Sequence, residues 1–453
     1  MPRIPLPHGS PDWSRASRRA RALARLHGPR SPLFRRRVAM LGGAVTIGLM
    51  AILFAGLADR SSALFDQVAA RWRWLPMLLT PAGFALMVWI TNRYAPAARG
   101  SGIPQVIAAK EHPEEGVRNL LTLPIALVKA VLTFGSLMVG ASTGREGPTV
   151  QLAAAMLAVW HNVLRVPMRA SVLIAGGAAG VAAAFNTPLA GIAFAIEELA
   201  AAYEQRTAML VMTAILISGA VALGLAGDYV YFGSIGASMK LGGAILVAPV
   251  AGVLGGIAGG LFARLLLGVA HREFAFLRAF QQRPVLFAGV CGLVVAIIGC
   301  TTQLTWGAGY GAAHAMIVGV HAPLWFGPAK FVTTAATAIA GLPGGIFAPN
   351  LATGAGFGNM LRWLFPGEPA SAVVLLGMVA YFTGVVRAPL TAVFILTETT
   401  NSRGLMLPLI ASALVADFAS RQICPVKLYE GLAETFLAKL PSAAPAPRAY
   451  PDT

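Results

Sequence analysis

Few ionisable side chains interrupt the apolar stretches of this 453-residue chain, and their neighbours indicate the chemistry open to it. Glu146 stands in Gly144-Arg-Glu-Gly-Pro148, which reads as the head of a helix, because proline is tolerated in a first helical turn. Two further turns, Gly100-Ser-Gly-Ile-Pro104 and Gly344-Gly-Ile-Phe-Ala-Pro349, read the same way. Helix N-termini leave N–H groups without partners and carry about half a positive charge. Several of them converging would form an anion site with no full counter-charge, so that a permeating ion is stabilised without being trapped. A carboxylate at membrane depth is costly and is a functional candidate by default. Glu146 can put its own carboxylate into such a site and withdraw on protonation, which would couple a proton to an anion. Glu197 and Glu198 close the apolar run 176–196, and Glu398 closes a similar one. Glu198 reads as functional, whereas Glu197 and Glu398 read as structural. Lys129 and Lys330 also lie in apolar surroundings, where pairing with an acid, snorkelling and biasing the field along an anion path all remain open.

These residues need elements to position them, and composition says which. Residues of the set AVILMFWYC make up 57% of the chain and charged residues only 12%, against roughly 25% in soluble domains. The apolar runs are continuous rather than alternating, which argues against a β-barrel. The expectation is an all-α, polytopic membrane protein of many tilted and broken helices. Residues 38–58 and 74–94 form spans of about the ~20 residues a bilayer needs. Residues 95–116 read as a loop returning to the membrane. The segments 149–164, 171–185, 189–202, 345–358, 372–386 and 390–397 are too short to cross alone unless tilted or paired end to end. An internal repeat organises them. Pro148 and Pro349, Pro188 and Pro389, Lys129 and Lys330, and Glu197 and Glu398 all stand 201 residues apart. Duplication with broken helices points to a secondary transporter whose site lies where the halves meet. The expected organisation is a basic cytoplasmic arm (1–37), repeat halves 38–226 and 241–429, and a short cytoplasmic tail (430–453).

The formal net charge is +17, and residues 1–37 hold ten arginines against one acid, Asp12. No base-stacking module follows that arm, so no nucleic-acid partner is expected. A basic arm beside the first span keeps the N-terminus cytoplasmic and touches anionic lipid. Cys291, Cys300 and Cys424 are scattered, the seven histidines show no paired spacing, and no phosphate-binding loop is present. Neither metal, cofactor nor enzymatic activity is expected. His161 reads as interfacial and Arg387 as structural.

The motifs together resemble the CLC family of chloride channels and chloride/proton antiporters. The likeness rests on the three turns above, with Phe185-Asn-Thr-Pro-Leu-Ala-Gly191, Arg387-Ala-Pro-Leu-Thr391 and Lys427-Leu-Tyr429, and covers about residues 38–440. It implies that Ser101 and Tyr429 contact a central chloride through their hydroxyls and that Ile346 and Phe347 offer it backbone N–H groups. It further implies that Glu146 is the external gate and Glu198 the internal proton-transfer residue of the antiporter branch. The family is homodimeric, and its halves have inverted topology. The function implied is exchange of chloride for protons in a membrane, here expected to be a bacterial inner membrane with both termini cytoplasmic; the alternative is an uncoupled voltage- or pH-gated chloride channel. In bacterial relatives acids commonly follow the Gly-Ser-Gly-Ile-Pro motif, whereas Gln105, Val106 and Ile107 follow here.

Overall fold

The computed structural model describes residues 31–199, 205–227, 232–233, 235–236, 238–275, 278 and 281–441. The expected basic arm therefore lies outside the described residues up to position 30. The first half holds α1 (Pro32–Arg71), α2 (Pro76–Tyr94), α3 (Ile103–Glu111), α4 (Pro113–Leu120), α5 (Leu123–Met138), α6 (Glu146–Val163), α7 (Ala170–Phe185), α8 (Pro188–Phe194) and α9 (Gln205–Ala226). The second holds α10 (Leu241–Ala270), α11 (Pro284–Thr302), α12 (Tyr310–Ile317), α13 (Phe326–Ala340), α14 (Phe347–Leu361), α15 (Ala370–Val386), α16 (Pro389–Thr400), α17 (Met406–Ile423) and α18 (Leu428–Leu437). Among the described residues the only extended pairing is one bridge, Gly144 with Gly345.

Five described helices are long and apolar enough to cross a membrane singly, and α4 with α5 makes a sixth candidate bent by 48°. The chain is an integral membrane protein of helices. Ser31 caps α1 by accepting from Phe34 N at 3.0 Å, and Pro32 fits the first turn. At 1.5 Å per residue its 40 residues run about 60 Å, well beyond a ~30 Å hydrocarbon layer. The expected span 38–58 thus continues through Asp59, which receives Arg145 at 2.5 Å instead of ending the helix. Residues 95–116 are not a loop: they fold into a 3-10 turn, Pro96–Ala98, then α3 and the start of α4. His161 is fully buried, with Nδ1 at 2.9 Å from the Leu157 carbonyl.

The repeat is visible in the element boundaries. Glu146 and Phe347 begin α6 and α14, Phe185 and Val386 end α7 and α15, and Pro188 and Pro389 begin α8 and α16. Each pair keeps the offset of 201. Asn186 and Arg387, both in the left-handed region (φ 57° and 63°), reverse the chain between the paired short helices. Contacts between the halves are reciprocal. Gly144 N donates to Gly345 O and Gly345 N to Gly144 O, both at 2.7 Å. The Glu197 carboxylate accepts from Leu390 N and Thr391 N at the head of α16, both at 2.8 Å. Glu398 accepts from Leu189 N and Ala190 N at the head of α8, at 3.3 and 3.0 Å. Each contact recurs with the halves exchanged, as a two-fold relation requires. The structural reading of Glu197 and Glu398 holds: each complements the positive end of the other half's short helix.

Candidate functional site

The turn before α3 is held by its carbonyls. Gln105 Nε2 donates to Ala97 O (2.9 Å) and Arg99 O (2.7 Å), and Gln151 Nε2 reaches Ala97 O at 3.2 Å. Lys129, fully buried, donates to Ala98 O at 2.9 Å and to Gly100 O. Four consecutive carbonyls are thereby satisfied. A carboxylate at 105 could not donate, so the glutamine that departs from the bacterial pattern is the residue this turn uses. Lys129 binds backbone rather than an acid, which settles its contacts. The turn is sharp: Gly100 and Gly102 have φ of 68° and 111°, a region that favours glycine. Ser101 sits between them.

Three turns then meet. Gly344 N donates to Gly100 O at 3.1 Å, Gly345 pairs with Gly144, and Thr143 Oγ1 donates to Gly345 O at 2.9 Å. A Cβ on Gly147 would lie 2.8 Å from Ser101 O, so no side chain fits there. Ile346 caps α14, Phe347 is its first residue, and Glu146 is the first residue of α6. The heads of α6 and α14 therefore converge beside Ser101. Tyr429, second in α18, is fully buried, with its ring 5.9 Å from that of Phe347. Arg387 positions the segment leading to it, donating to Asp417 Oδ1 (3.4 Å), Cys424 O (3.2 Å) and Pro425 O (2.5 Å). The hydroxyls of Ser101 and Tyr429 lie close enough to interact with each other, and neither reaches any further hydrogen-bond partner among the described residues. Buried hydroxyls are rarely left so. Two such donors beside two helix heads suit a small anion.

Glu198 lies in a π-helical turn, Ala195–Leu199, a form frequent at functional sites. Lys427 Nζ stands 3.3 Å from its Oε1 and donates to Glu197 O at 2.7 Å, while Oε2 has no partner among the described residues. Lys427 precedes Tyr429 by two residues, so one short segment touches both Glu198 and the pocket at the helix heads. The structure thus brings Ser101, Glu146, Ile346, Phe347 and Tyr429 together and sets Glu198 behind Tyr429.

The sequence did not single out Tyr310. Its hydroxyl donates to Glu146 Oε1. Lys330, also fully buried, holds the preceding turn by donating to Thr305 O (2.9 Å) and Gly307 O (2.7 Å), and Gly309 (φ 81°) caps α12. Lys330 stands 201 residues after Lys129, which was the available signal that a second turn of this kind exists.

Two cavities approach the site. One of about 620 Å³ is lined by Asp59, Asp66, Arg145, Trp306 and Tyr310. The other, about 340 Å³, is lined by Arg99, Ser101, Ile346, Arg272 and Lys439. Thr143 borders both, so the meeting turns form the partition between them. Among the described residues no cluster of His, Cys, Asp and Glu could hold a metal ion.

A family model described as voltage gated chloride channel matches residues 83–421. An H(+)/Cl(-) exchange transporter ClcA of Yersinia pestis bv. Antiqua (strain Angola) is 29% identical over 466 residues, covering 95% of this chain and 94% of its own length. The protein of the same name from Vibrio vulnificus (strain YJ016) is 32% identical over 385 residues, covering 78% and 77%. Among solved structures, a slow cyanobacterial Cl-/H+ antiporter superposes with a TM-score of 0.76 at 24% identity, covering 89% of this chain and 98% of its own. A CLC-type fluoride/proton antiporter gives 0.73 at 21% identity, covering 87% and 96%.

Proposed function

The chain belongs to the voltage-gated chloride channel (CLC) family, and from that premise we propose that it exchanges chloride for protons across a membrane. The observation that carries the proposal is the pair of buried hydroxyls of Ser101 and Tyr429, with no partner among the described residues beyond each other, at the converging heads of α6 and α14, with the carboxylate of Glu146 at the same place. Chloride lies between those hydroxyls and the N–H groups of Ile346 and Phe347, stabilised by partial charges and free to leave. The Glu146 carboxylate competes for that position. Protonation neutralises it, so it withdraws, and anion and proton alternate. Glu198 supplies protons from the other side, where one of its oxygens is unengaged. The names of the Yersinia and Vibrio relatives support exchange rather than simple conduction.

Sidedness follows from charge. The ten arginines of residues 1–37 favour the cytoplasm. Arg35, near the start of α1, donates to the carbonyls of Leu164 and Arg165, which supports the same side for the end of α6. Asp59 and Asp66 lie at the opposite end of α1, so their cavity faces outward and the Arg99 cavity faces the cytoplasm. The assembly is a homodimer in a bacterial inner membrane, in contact with lipid.

Purified protein in liposomes tests this. A chloride gradient drives protons uphill, and Glu146→Ala abolishes proton flux while chloride still passes. Chloride flux without proton movement at any pH overturns exchange in favour of a channel.

A further inference from the structure

We propose that Tyr310 is a positioning residue for the gate: from the outward cavity it holds the ionised carboxylate of Glu146, and so sets the external pH at which the gate opens. The inference rests on Glu146 acting as the gate. Three observations carry it. The first is the hydrogen bond from the Tyr310 hydroxyl to Glu146 Oε1. The second is how firmly the ring is held. The Arg145 guanidinium lies 5.9 Å from its centroid and is anchored on Asp59 Oδ1 (2.5 Å) and Ala55 O (2.9 Å). Phe232 flanks the ring at 6.2 Å. The third is the backbone beneath it. Lys330 grips the carbonyls of the turn before Gly309 as Lys129 grips those before Gly102. One repeat-related lysine thus steadies the turn carrying Ser101, and the other steadies the turn carrying Tyr310.

A phenol donates to a carboxylate more strongly than to a neutral carboxyl, because the charged acceptor strengthens the bond. Tyr310 therefore holds the charged form of the gate in this pose. The other titratable groups around this pose are Arg145 just before α6, Asp59 and Asp66 from α1, and Lys330 from α13, with Tyr429 of α18 within electrostatic reach of both Glu146 and Glu198. Arg145 engages Asp59, and Lys330 lies within electrostatic reach of Asp66, so both acids have a cationic counterpart. The same cavity borders Tyr310, Arg145 and Gly144, so a proton arriving from outside reaches Glu146 past this phenol.

Tyr310→Phe keeps the ring beneath Arg145 and removes only the donor. The expected result is that the midpoint of chloride flux against external pH moves upward by on the order of one unit. Flux at acidic pH, where the gate is protonated in both proteins, matches wild type and reports correct folding. In a Glu146→Ala background the same substitution changes nothing. Lys330→Met keeps Tyr310 but frees its turn, and shifts the midpoint in the same direction by less. The proposal is overturned by an unmoved midpoint in Tyr310→Phe, or by an equal effect of that substitution with and without Glu146. If wild type conducts chloride with no proton coupling, exchange fails while the midpoint still reads the gate, so the two failures are separable.

Discussion

Glu197 and Glu198 are chain neighbours with different contacts. Glu197 spends both oxygens on the head of α16, where Thr391 adds its hydroxyl at 2.7 Å. Glu198 makes one long contact, with Lys427, and keeps its second oxygen unengaged. Glu197→Ala should therefore cost about 1–3 kcal/mol, the value of hydrogen bonds to a charged group, and lower the melting temperature. Coupling in the surviving protein should stay intact; loss of coupling at unchanged stability would make Glu197 functional. Glu198→Gln should do the reverse, with proton flux falling by about two orders of magnitude and chloride affinity barely altered. Paired flux and chloride-titration measurements decide this. The sequence suggested separate roles because Glu197 has a counterpart 201 residues on while position 399 is threonine. It could not reveal Tyr310, because an aromatic residue after glycine carries no mark of what its hydroxyl reaches.

At the scale of elements, glycine and proline made the broken helices legible. Pro148, Pro188, Pro349 and Pro389 sit in first turns because their missing N–H is no loss there. The nine-residue α3 stayed hidden, since little more than two turns cannot establish a period and its cap is a glycine at φ 111°. The partners of Lys129 were also unreadable, because main-chain carbonyls leave no trace in a pattern of side chains. Lys129→Met tests what this lysine does. It strips the side-chain donor from Ala98 O and Gly100 O; Gly100 O keeps Gly344 N, so the cost is about 1–3 kcal/mol for the unsatisfied Ala98 O. Chloride affinity should fall, because Ser101 rides on that turn, while the external pH midpoint stays in place. A moved midpoint with normal affinity would mean that the turn around Ser101 does not shape the anion pocket.

Taken whole, the molecule has a near two-fold backbone carrying an unsymmetrical charge distribution. The reciprocal contacts treat the halves alike, but the two cavities do not match. The 620 Å³ cavity sets Asp59 and Asp66 against Arg145. The 340 Å³ cavity, proposed to face the cytoplasm, is lined by Arg99, Arg272 and Lys439, with no acid among the described residues, and Arg99 and Arg272 lie close enough to repel each other. A narrow, cationic vestibule focuses field lines and raises the local anion concentration. Capture of chloride from the cytoplasmic side should thus depend on ionic strength more steeply than capture from outside. Arg99→Ala should raise the half-saturating chloride concentration on that side by up to about tenfold in dilute salt. The difference should vanish as an inert salt brings the screening length to about 3 Å near 1 M. Proton coupling should be untouched, since Glu146 and Glu198 keep their contacts. Flux measured from each face, with gluconate as the inert anion, distinguishes this from a packing role for Arg99, whose loss would persist at every salt concentration.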